Sequence, residues 1–560
     1  MINRRQFLRI AAITASGSAT LPHRLYAGPS NLPVRGGTVT CGMSFLIVVP
    51  DPHRYAGWWA RQSMSLCWEG LTTPVPVGER LKLMEEMGPD AAIPEVRPML
   101  AENWEIDRDG KRYVFHLKKG VKFHNGKELD SEDVKWNWLR IQDPVHIASS
   151  RKFLTHFLDS IDTPDRHTIV ANLSRPYGSF LTANAWCYTG IVPRDAVPYG
   201  AIWGFTPTFR PPTVAPPGTG PFVMTEFQQN LQAVFEKFDD YRIDGLPYLD
   251  KVIYKVIGPD GPRTVALRAG NLDYTWSVDH SWLEKNLDKK ELYQHHRLEK
   301  EKLNLYPFIN PSTRTIYLNC HENADTPFKD ERVRQALDYC LDKETLSRTL
   351  YGNLGIPMSQ GYNPKISAWG VPDIKSRKRD INKARELLRA AGYANGLDVD
   401  FKVTSEWGRN EIRAQVIQQM AKPAGFRMNI IIQFGPQYSA DLRTYTYHMM
   451  MGSIRGEDPM NFYFRTLHTD PAEPYNGYSR SLGIKDEEMD QLLDQVAEEI
   501  DFEKRKLIFK DIVQRSADKA YWLPNNQVVI SSVWSDKLKN FNPSKYYHPQ
   551  QAFIEAWMDG

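Results

Sequence analysis

Residues 100–138 read LAENWEIDRDGKRYVFHLKKGVKFHNGKELDSEDVKWNW and carry several local structural signals in one run. Its Asp109-Gly110 pair is typical of a tight turn between two strands. The run after the turn alternates apolar with more polar side chains, as a half-buried strand does, and its apolar positions are Tyr113, Phe115 and Leu117. Ser131 precedes two acidic residues and is expected to be the N-cap of a helix. The stretch therefore predicts a β-hairpin followed by a helix.

A second pattern lies in the C-terminal half of the chain. Residues 397–403 and 428–434 each alternate apolar and polar side chains, which predicts two strands. Between them an apolar stripe predicts a helix whose buried face carries Ile412, Val416 and Met420. A strand, a crossover helix and a strand imply a parallel pair in an α/β layer. A later stripe predicts another amphipathic helix, with a buried face formed by Met489, Leu492, Leu493, Val496 and Ile500.

The composition is that of a soluble globular protein with room for several domains. The chain has 560 residues, of which 41% are hydrophobic and 24% are charged. The formal charge is +3 and no block rich in Lys and Arg stands out, so no nucleic-acid partner is expected. Aromatic residues make up 12% of the chain, which suits a protein that lines a cavity with stacking surfaces.

The first 27 residues have the layout of an export signal. A basic start with Arg4-Arg5 is followed by a short, weakly apolar stretch, and a Leu-Tyr-Ala sequence ends at Ala27. The Arg-Arg-Gln-Phe-Leu order resembles the twin-arginine consensus. No other stretch approaches the roughly 18 apolar residues of a spanning helix. We therefore expect a signal peptide at 1–27 and a soluble mature protein in the periplasm.

No stretch carries an organised catalytic or metal-binding motif. The segment at 120–127 has the wrong glycine spacing for a phosphate loop and lacks a Ser or Thr after its lysine. The histidines have no carboxylate at metal-ligand spacing, and neither GxSxG nor HExxH occurs. The five cysteines lie far apart without a CxxC pair. The sequence thus predicts no catalytic residue, no metal site and no cofactor.

The opening stretch resembles the family 5 solute-binding proteins of ABC importers, which bind peptides, nickel or opines. The Ala-Glu-x-Trp opening, the Asp-Gly hairpin, Phe-x-Leu-Lys-x-Gly, Lys-Phe-His-x-Gly and an acidic helix start are all present. Further segments resemble the family in the expected order, namely CWEGLT, PPGTGPF, DDYRIDGLPYLDKVIYKVI, ALRAGNLDYTW, IYLNCHENADTPFKDERVRQALDYCLDKETL and NGYSRSLGIKDEEMDQLLDQ.

This resemblance implies an α/β fold of the class II periplasmic-binding-protein type, with two lobes, a hinge and three domains. Domain I would comprise 35–73, 210–305 and 520–560, domain II 74–209, and domain III 306–519. A ligand would be trapped by hinge closure, since contacts to both lobes stabilise the closed state. The resemblance also implies a non-enzymatic, monomeric protein that delivers its ligand to an inner-membrane ABC permease.

Five candidate ligand-binding residues follow from position in this fold. Trp276 lies just before the inferred hinge, where family members place residues that face the ligand. Trp407 and Arg409 lie in the loop after a domain III strand, at the carboxyl end where α/β layers bind ligands. Met43 and Phe45 follow the first strand of the mature chain and are expected to line the domain I wall.

Residues 449–464, MMMGSIRGEDPMNFYF, supply three further candidates. Peptide-binding members of the family often place an aspartate three residues before this Asp-Pro, where it pairs with the free amino terminus of the ligand. Here that position is Arg455, which would repel an ammonium group and favour a carboxylate or phosphate. Glu457 is an alternative partner for an amine if the register is shifted. Asp458 is the aspartate of the Asp-Pro pair from which these positions are counted.

The sequence therefore leaves several functions open. The default ligand is a peptide, and the sharper hypothesis is a peptide-like or anionic small organic solute, such as an opine-like conjugate. One alternative is a binder of a metal chelate or haem with the same fold. Another is an exported hydrolase that uses Glu457 and Asp458 as acid and base, although adjacent residues on an extended segment point to opposite faces.

Overall fold

The computed structural model describes most of the chain in segments. The described residues are 32–44, 50–53, 64–87, 96–144, 148, 151–155, 157–185, 189–196, 215–287, 291–404, 409–454, 458, 460–469, 482–546 and 548–559. The predicted signal peptide and four predicted site residues lie outside these residues, namely Phe45, Trp407, Arg455 and Glu457. No helix among the described residues is long and apolar enough to cross a membrane.

The strands are short except for one of 14 residues near the C-terminus. In chain order they are β1 Thr38–Met43, β2 Thr72–Pro74, β3 Val96–Pro98, β4 Ala101–Ile106, β5 Arg112–Leu117, β6 Leu158–Asp165, β7 Thr168–Leu173, β8 Phe222–Gln228, β9 Gln232–Lys237, β10 Lys251–Val256, β11 Tyr274–Thr275, β12 His296–Leu298, β13 Leu303–Ile309, β14 Thr313–Leu318, β15 Gly355–Pro357, β16 Leu397–Thr404, β17 Phe426–Gln433, β18 Met449–Ile454, β19 Trp522–Ser535, β20 Leu538–Lys539 and β21 Trp557–Met558.

The α-helices are concentrated in the C-terminal half. In chain order they are α1 Val77–Met87, α2 Ser131–Gln142, α3 Arg151–Thr155, α4 Phe180–Ala183, α5 Asp260–Arg268, α6 His280–Asn286, α7 Glu331–Cys340, α8 Lys343–Tyr351, α9 Ile381–Ala390, α10 Asn410–Ala421, α11 Gly435–Thr444, α12 Arg465–Leu467, α13 Glu487–Glu498 and α14 Phe502–Asp518. A π-helix, Met460–Phe464, leads into α12, and five short 3-10 helices are Pro327–Lys329, Gly352–Leu354, Lys422–Ala424, Pro543–Lys545 and Pro549–Ile554.

One large sheet of 13 strands runs through both lobes of the molecule. Its main path is β17-β16-β18-β14-β19-β11-β1-β10-β9-β8. The long strand β19 joins the two halves, because its first residues pair with β14 and its last residues pair with β13. We call the described residues of 32–309 and 529–559 lobe 1, and those of 313–527 lobe 2.

Two chain segments cross between the lobes. The first crossing, 310–312, connects β13 to β14, and the second runs along β19. The backbone N–H of Asn310 donates to the carbonyl of Val528 over 2.9 Å, so the two crossings lie side by side. Gln527 reinforces them through a 3.0 Å hydrogen bond from its Nε2 to Thr313 Oγ1. Two adjacent crossings form the kind of hinge about which lobes rotate. The proposed domain boundaries stay a prediction.

The hairpin predicted from residues 100–138 is confirmed. Strands β4 and β5 pair antiparallel, and Gly110 in the turn between them has φ +69°, a conformation that glycine adopts without steric cost. With β7 and β6 they form a separate four-stranded sheet within lobe 1.

The predicted N-cap of the helix after this hairpin is wrong by one residue. Asp130 caps α2, since its carboxylate accepts from the Asp133 N–H at 3.0 Å, and the Asp133 carboxylate accepts in return from the Asp130 N–H. The Ser131 hydroxyl donates instead to the carbonyl of Asp165. An aspartate directly before the serine competes for the cap, and both residue types are good caps.

The predicted strand–helix–strand unit is confirmed in lobe 2, but its helix faces differently than predicted. Strands β16 and β17 pair in parallel, with α10 between them. Ile412 is 50% exposed, whereas Ile417 is fully buried. The buried face of α10 consists of Asn410, Arg413, Ala414, Ile417, Met420 and Ala421. The apolar pattern predicts the wrong face of α10 because the buried face includes an arginine, which such a pattern does not count as buried.

The later amphipathic helix is confirmed as α13, which buries Met489, Leu493 and Val496. It ends at Glu498, so the predicted face is wrong at Ile500, which follows the helix and is exposed.

The lobes are in contact beyond the hinge. A single buried apolar cluster includes Phe115 of the four-stranded sheet and Trp138 of α2 together with Tyr362, Trp369 and Phe509 of lobe 2. Separate clusters lie on the sheet of lobe 1 and between the sheet and helices of lobe 2. The two lobes therefore share a buried core away from the hinge.

Candidate functional site

The strand ends of lobe 2 define the edge at which polar side chains gather. Strands β16 and β18 run parallel and end at Thr404 and Ile454, and β14 runs antiparallel to β18 and begins at Thr313. The ligand sites of α/β sheets lie at the carboxyl ends of parallel strands. Residues 405–408 and 455–457, which hold three of the predicted site residues, directly follow these strand ends and lie outside the described residues.

Two arginines that the sequence analysis did not single out lie close together at this edge. Arg314 is the second residue of β14 and is half-buried, and Arg413 lies in the first turn of α10 and is fully buried. Burial, followed by the neighbouring Arg413 guanidinium, lowers the pKa of Arg314. Neither guanidinium forms an ion pair with a carboxylate of the described residues, although buried charges are usually paired.

Tyr351, the last residue of α8, lies at the centre of this cluster. Its hydroxyl accepts a 2.8 Å hydrogen bond from Arg413, whose other Nη donates to Asn410 Oδ1 at 2.7 Å. The Arg413 Nε has no hydrogen-bond partner among the described residues. The guanidinium of Arg409 also packs on the Tyr351 ring, 5.6 Å from its centroid, and donates to the carbonyl of Leu350.

Lobe 1 reaches the same cluster through α6. The His280 ring lies 5.0 Å from the Tyr351 ring, measured between centroids. Burial lowers the pKa of His280; Asp260 opposes that shift, and Arg409 adds to it. Beside it, Glu284 accepts a 2.7 Å hydrogen bond from the backbone N–H of Asn353 in lobe 2. The predicted residue Arg409 therefore lies where the two lobes meet.

A β-bulge in β19 places two buried asparagines opposite Arg314. The register shifts between Arg314, which pairs with Asn526, and Thr315, which pairs with Pro524, so Asn525 is the extra residue. Both asparagine side chains are fully buried, and neither Oδ1 has a donor among the described residues. Bulges often re-aim side chains next to binding sites.

Asp458 lies in a different, fully occupied network. Its carboxylate accepts from the hydroxyls of Ser179 and Thr182 at 2.7 and 3.2 Å, from the Met460 N–H at 2.8 Å and from Arg505 Nη2 at 3.1 Å. Ser179 and Thr182 belong to lobe 1, so this buried carboxylate links the lobes. These four donors satisfy both oxygens of the Asp458 carboxylate without a ligand. Its role in ligand binding stays a prediction.

Comparison with known proteins identifies the family. The model of the bacterial extracellular solute-binding proteins, family 5, matches residues 95–474, which is more than half of the chain. This chain is a member of that family. It is 27% identical over 414 residues to the dipeptide-binding protein of Escherichia coli strain K12, covering 69% of this chain and 73% of that protein. It is 26% identical over 498 residues to heme-binding protein A of Haemophilus influenzae, covering 83% and 85% of the two chains.

A solved structure confirms the predicted fold class of the solute-binding protein. The PBP AgaA in complex with agropinic acid, from A. tumefaciens R10, superposes with a TM-score of 0.74 at 22% identity, covering 94% of this chain and 99% of that chain. The periplasmic-binding-protein fold with two lobes and a hinge is therefore shared.

Two predicted residues of lobe 1 lie in its core. Met43, at the end of β1, and Trp276, just after β11, are each 1% exposed. The Trp276 ring lies 5.7 Å from the Phe308 ring, and the Met43 carbonyl accepts from the Ile257 N–H. Their contact with a ligand stays a prediction.

The residues missed by sequence reasoning left a recognisable signal. Arg314 is a lone charge in a strand whose other residues, Thr313–Leu318, are all buried. Arg413 lies four and eight residues before Ile417 and Ala421, on one face of α10. A cation in a buried strand and a cation on the buried face of the facing helix together indicate a site, which neither pattern does alone.

Proposed function

We propose that the solute-binding protein is the periplasmic component of an ABC importer, which captures a peptide, or a peptide-like or anionic small organic solute, between its lobes. It would deliver this solute to an inner-membrane permease. The observation that carries the proposal is the hinge: two adjacent crossings join lobes that also touch at a distance from them. This construction allows the lobes to separate and close as units.

Contacts away from the hinge would form when the lobes close. The Gly178 N–H donates to the Ala497 carbonyl at 3.0 Å, and Arg505 of lobe 2 donates to the Gly178 carbonyl and the Ser179 hydroxyl. A solute that touches both lobes would stabilise the closed conformation, so binding of the solute shifts the equilibrium between open and closed lobes. Such a cycle needs no bond-making step and no cofactor, which supports a non-enzymatic role.

Relatives indicate the range of solutes. The dipeptide-binding protein, the heme-binding protein and the complex with agropinic acid each suggest a different class of ligand. A peptide-like or anionic solute fits the arginines at the strand ends of lobe 2 better than a cationic one does. The heme-binding relative keeps haem or a metal chelate as the second candidate.

The remaining proposals concern location and the cleft. We propose twin-arginine export of the chain, removal of residues 1–27, and action as a monomer without nucleic acid. Arg455, Glu457 and Trp407 follow the strand ends of lobe 2 and are proposed as cleft residues with Arg409. For Phe45, Met43, Trp276 and Asp458 the proposal of ligand contact rests on the sequence alone.

The test is to identify what the protein carries. The chain without residues 1–27 is purified from its native periplasm and denatured, and the released small molecules are identified by mass spectrometry. Adding the compound back to refolded protein should raise the thermal midpoint as expected for a ligand bound to the folded state. Turnover of that compound by the intact protein would contradict a binding role.

A further inference from the structure

Among the described residues, three arginines gather where β14 and α10 meet, and no carboxylate is paired with them. Arg314, Arg413 and Arg409 surround Tyr351, and none of them pairs with a carboxylate of the described residues. Elsewhere in the same lobe, the buried Arg505 is paired with Asp458, and the buried Arg334 donates to the backbone carbonyls of Phe328, Lys329 and Lys519. A buried cation is costly unless an anion lies beside it, and removing a partner from such a pair is strongly destabilising.

The donors of this cluster suit a planar or tetrahedral anion. Among the described residues the Arg314 guanidinium has no hydrogen-bond partner, and its planar set of N–H donors matches the geometry of a carboxylate or phosphate. The Nε of Arg413 is buried without a partner among the described residues. The Tyr351 hydroxyl accepts from Arg413 and keeps its own proton to donate. The first turn of the 12-residue helix α10 adds its partial positive charge.

The bulge in β19, where Asn526 pairs with Arg314, adds two buried acceptors. The amide nitrogens of Asn525 and Asn526 donate to backbone carbonyls at 3.3 and 3.2 Å, which leaves the Oδ1 atoms as acceptors. Both oxygens are buried without a donor among the described residues. Buried acceptors are normally satisfied, so these call for an N–H or O–H group.

We propose that Arg314, Arg413 and Tyr351 bind the anionic group of the solute, and that Asn525 and Asn526 accept hydrogen bonds from donors beside it. The solute class is an organic acid with a hydroxyl or amide N–H next to its anionic group. This assignment rests on the proposed function and deepens it, and a cationic solute is excluded by the three guanidinium groups. His280 of lobe 1 lies against Tyr351, so lobe 1 reaches the edge of this cluster.

The test measures anion binding to the mature chain by its thermal midpoint, at ionic strength held constant with NaCl. The probes are sulfate, gluconate, which carries hydroxyls beside its carboxylate, and hexanoate, which carries none. In the wild type, sulfate should raise the midpoint above that in NaCl, and gluconate should do so more than hexanoate. Arg314→Met should weaken sulfate and gluconate binding about 10- to 100-fold, the worth of a charged hydrogen bond or two.

Two further readouts separate a binding role from a structural one. Without an anion, Arg314→Met should have a higher midpoint than the wild type, since a half-buried cation without a partner has been removed. Asn526→Leu should reduce the preference for gluconate over hexanoate while retaining the sulfate response. Arg427→Met is the matched control, because Arg427 lies in the same lobe, is exposed and pairs with Asp398 at 2.6 Å; it should behave as the wild type does.

The outcomes distinguish this assignment from the proposed function. An unchanged sulfate and gluconate response in Arg314→Met overturns the anion site, even if another solute still closes the lobes in X-ray scattering. Loss of the anion response in Arg314→Met supports the site, even if no released solute is ever found. If Arg314→Met does not fold, Arg314→Lys retains the charge but loses the planar fork, and wild-type anion affinity in that variant overturns the proposal. Equal shifts of the thermal midpoint with gluconate and hexanoate in the wild type overturn the proposal that Asn525 and Asn526 accept hydrogen bonds from the solute.

Discussion

Arg505 of lobe 2 donates to Asp458 over 3.1 Å inside the molecule, and the same guanidinium donates to the Ser179 hydroxyl of lobe 1. Both members of the ion pair are buried, and Arg505 also packs on the Trp369 ring, 4.8 Å from its centroid. Because Ser179 of lobe 1 contacts both members of this buried pair, the packing of lobe 2 depends on its contact with lobe 1. The Asp-Pro landmark of the sequence therefore has a structural role at the interface.

Replacing Asp458 by Asn should destabilise the protein strongly. The change keeps the shape of the side chain but removes the negative charge opposite Arg505, and breaking a buried pair costs about 3–5 kcal/mol. Urea unfolding monitored by tryptophan fluorescence measures the loss. The exposed pair of Arg427 and Asp398 gives the control, since Asp398→Asn should cost less than about 1 kcal/mol. Equal costs for the two variants would show that the Asp458 pair is not buried as described.

Gly178→Ala should hold the lobes apart while each lobe stays folded. A Cβ at Gly178 would lie 2.2 Å from the Glu499 carbonyl oxygen and 2.9 Å from Arg505 Cδ, and both atoms belong to lobe 2. X-ray scattering should give a larger radius of gyration than that of the wild type. In Gly261→Ala the added Cβ meets nothing within 4 Å, so that control should scatter as the wild type does. A wild-type radius in both variants would contradict the closed contact.

Stability should fall in acid through His124. Burial lowers the pKa of His124 from 6.5 to about 4, partly opposed by its hydrogen bond to the Gly220 carbonyl. At pH values between about 4 and 6.5, His124 binds a proton in the unfolded chain but stays neutral in the folded protein. Folding stability therefore decreases as the pH falls from 6.5 to about 4, by up to about 1.4 kcal/mol per pH unit.

Urea unfolding at a series of pH values measures that slope. His124→Gln keeps an amide donor and acceptor but cannot become charged, so its slope in this window should be smaller by the contribution of one proton. A slope identical to that of the wild type would mean that His124 titrates alike in both states.

Two isoleucines of α10 test which face of the helix is buried. Ile417 is fully buried and Ile412 is 50% exposed. Ile417→Ala should cost about 2–5 kcal/mol, as large-to-small changes in a core do, whereas Ile412→Ala should stay within about 0.5 kcal/mol. Chemical denaturation of both variants measures the difference. The reverse order would restore the face predicted from sequence and would move Arg413 to the surface.

Local patterns predicted the elements better than the site. The Asp109-Gly110 turn and the parallel pair β16 and β17 follow from turn chemistry and alternation, which depend on neighbouring residues. The arginine pair does not, because Arg314 and Arg413 meet only after β14 is placed beside β18 and α10 crosses the sheet. An apolar stripe was the wrong guide for α10, because Asn410 and Arg413 lie on its buried face.

A crystal structure of the protein purified with its native solute would show directly which group Arg314 and Arg413 bind. We expect a negatively charged solute between the lobes, with its anionic group within hydrogen-bond distance of Arg314 and Arg413 and with contacts to both lobes. A solute bound by one lobe alone, or one that places a neutral or cationic group against these arginines, would contradict this expectation.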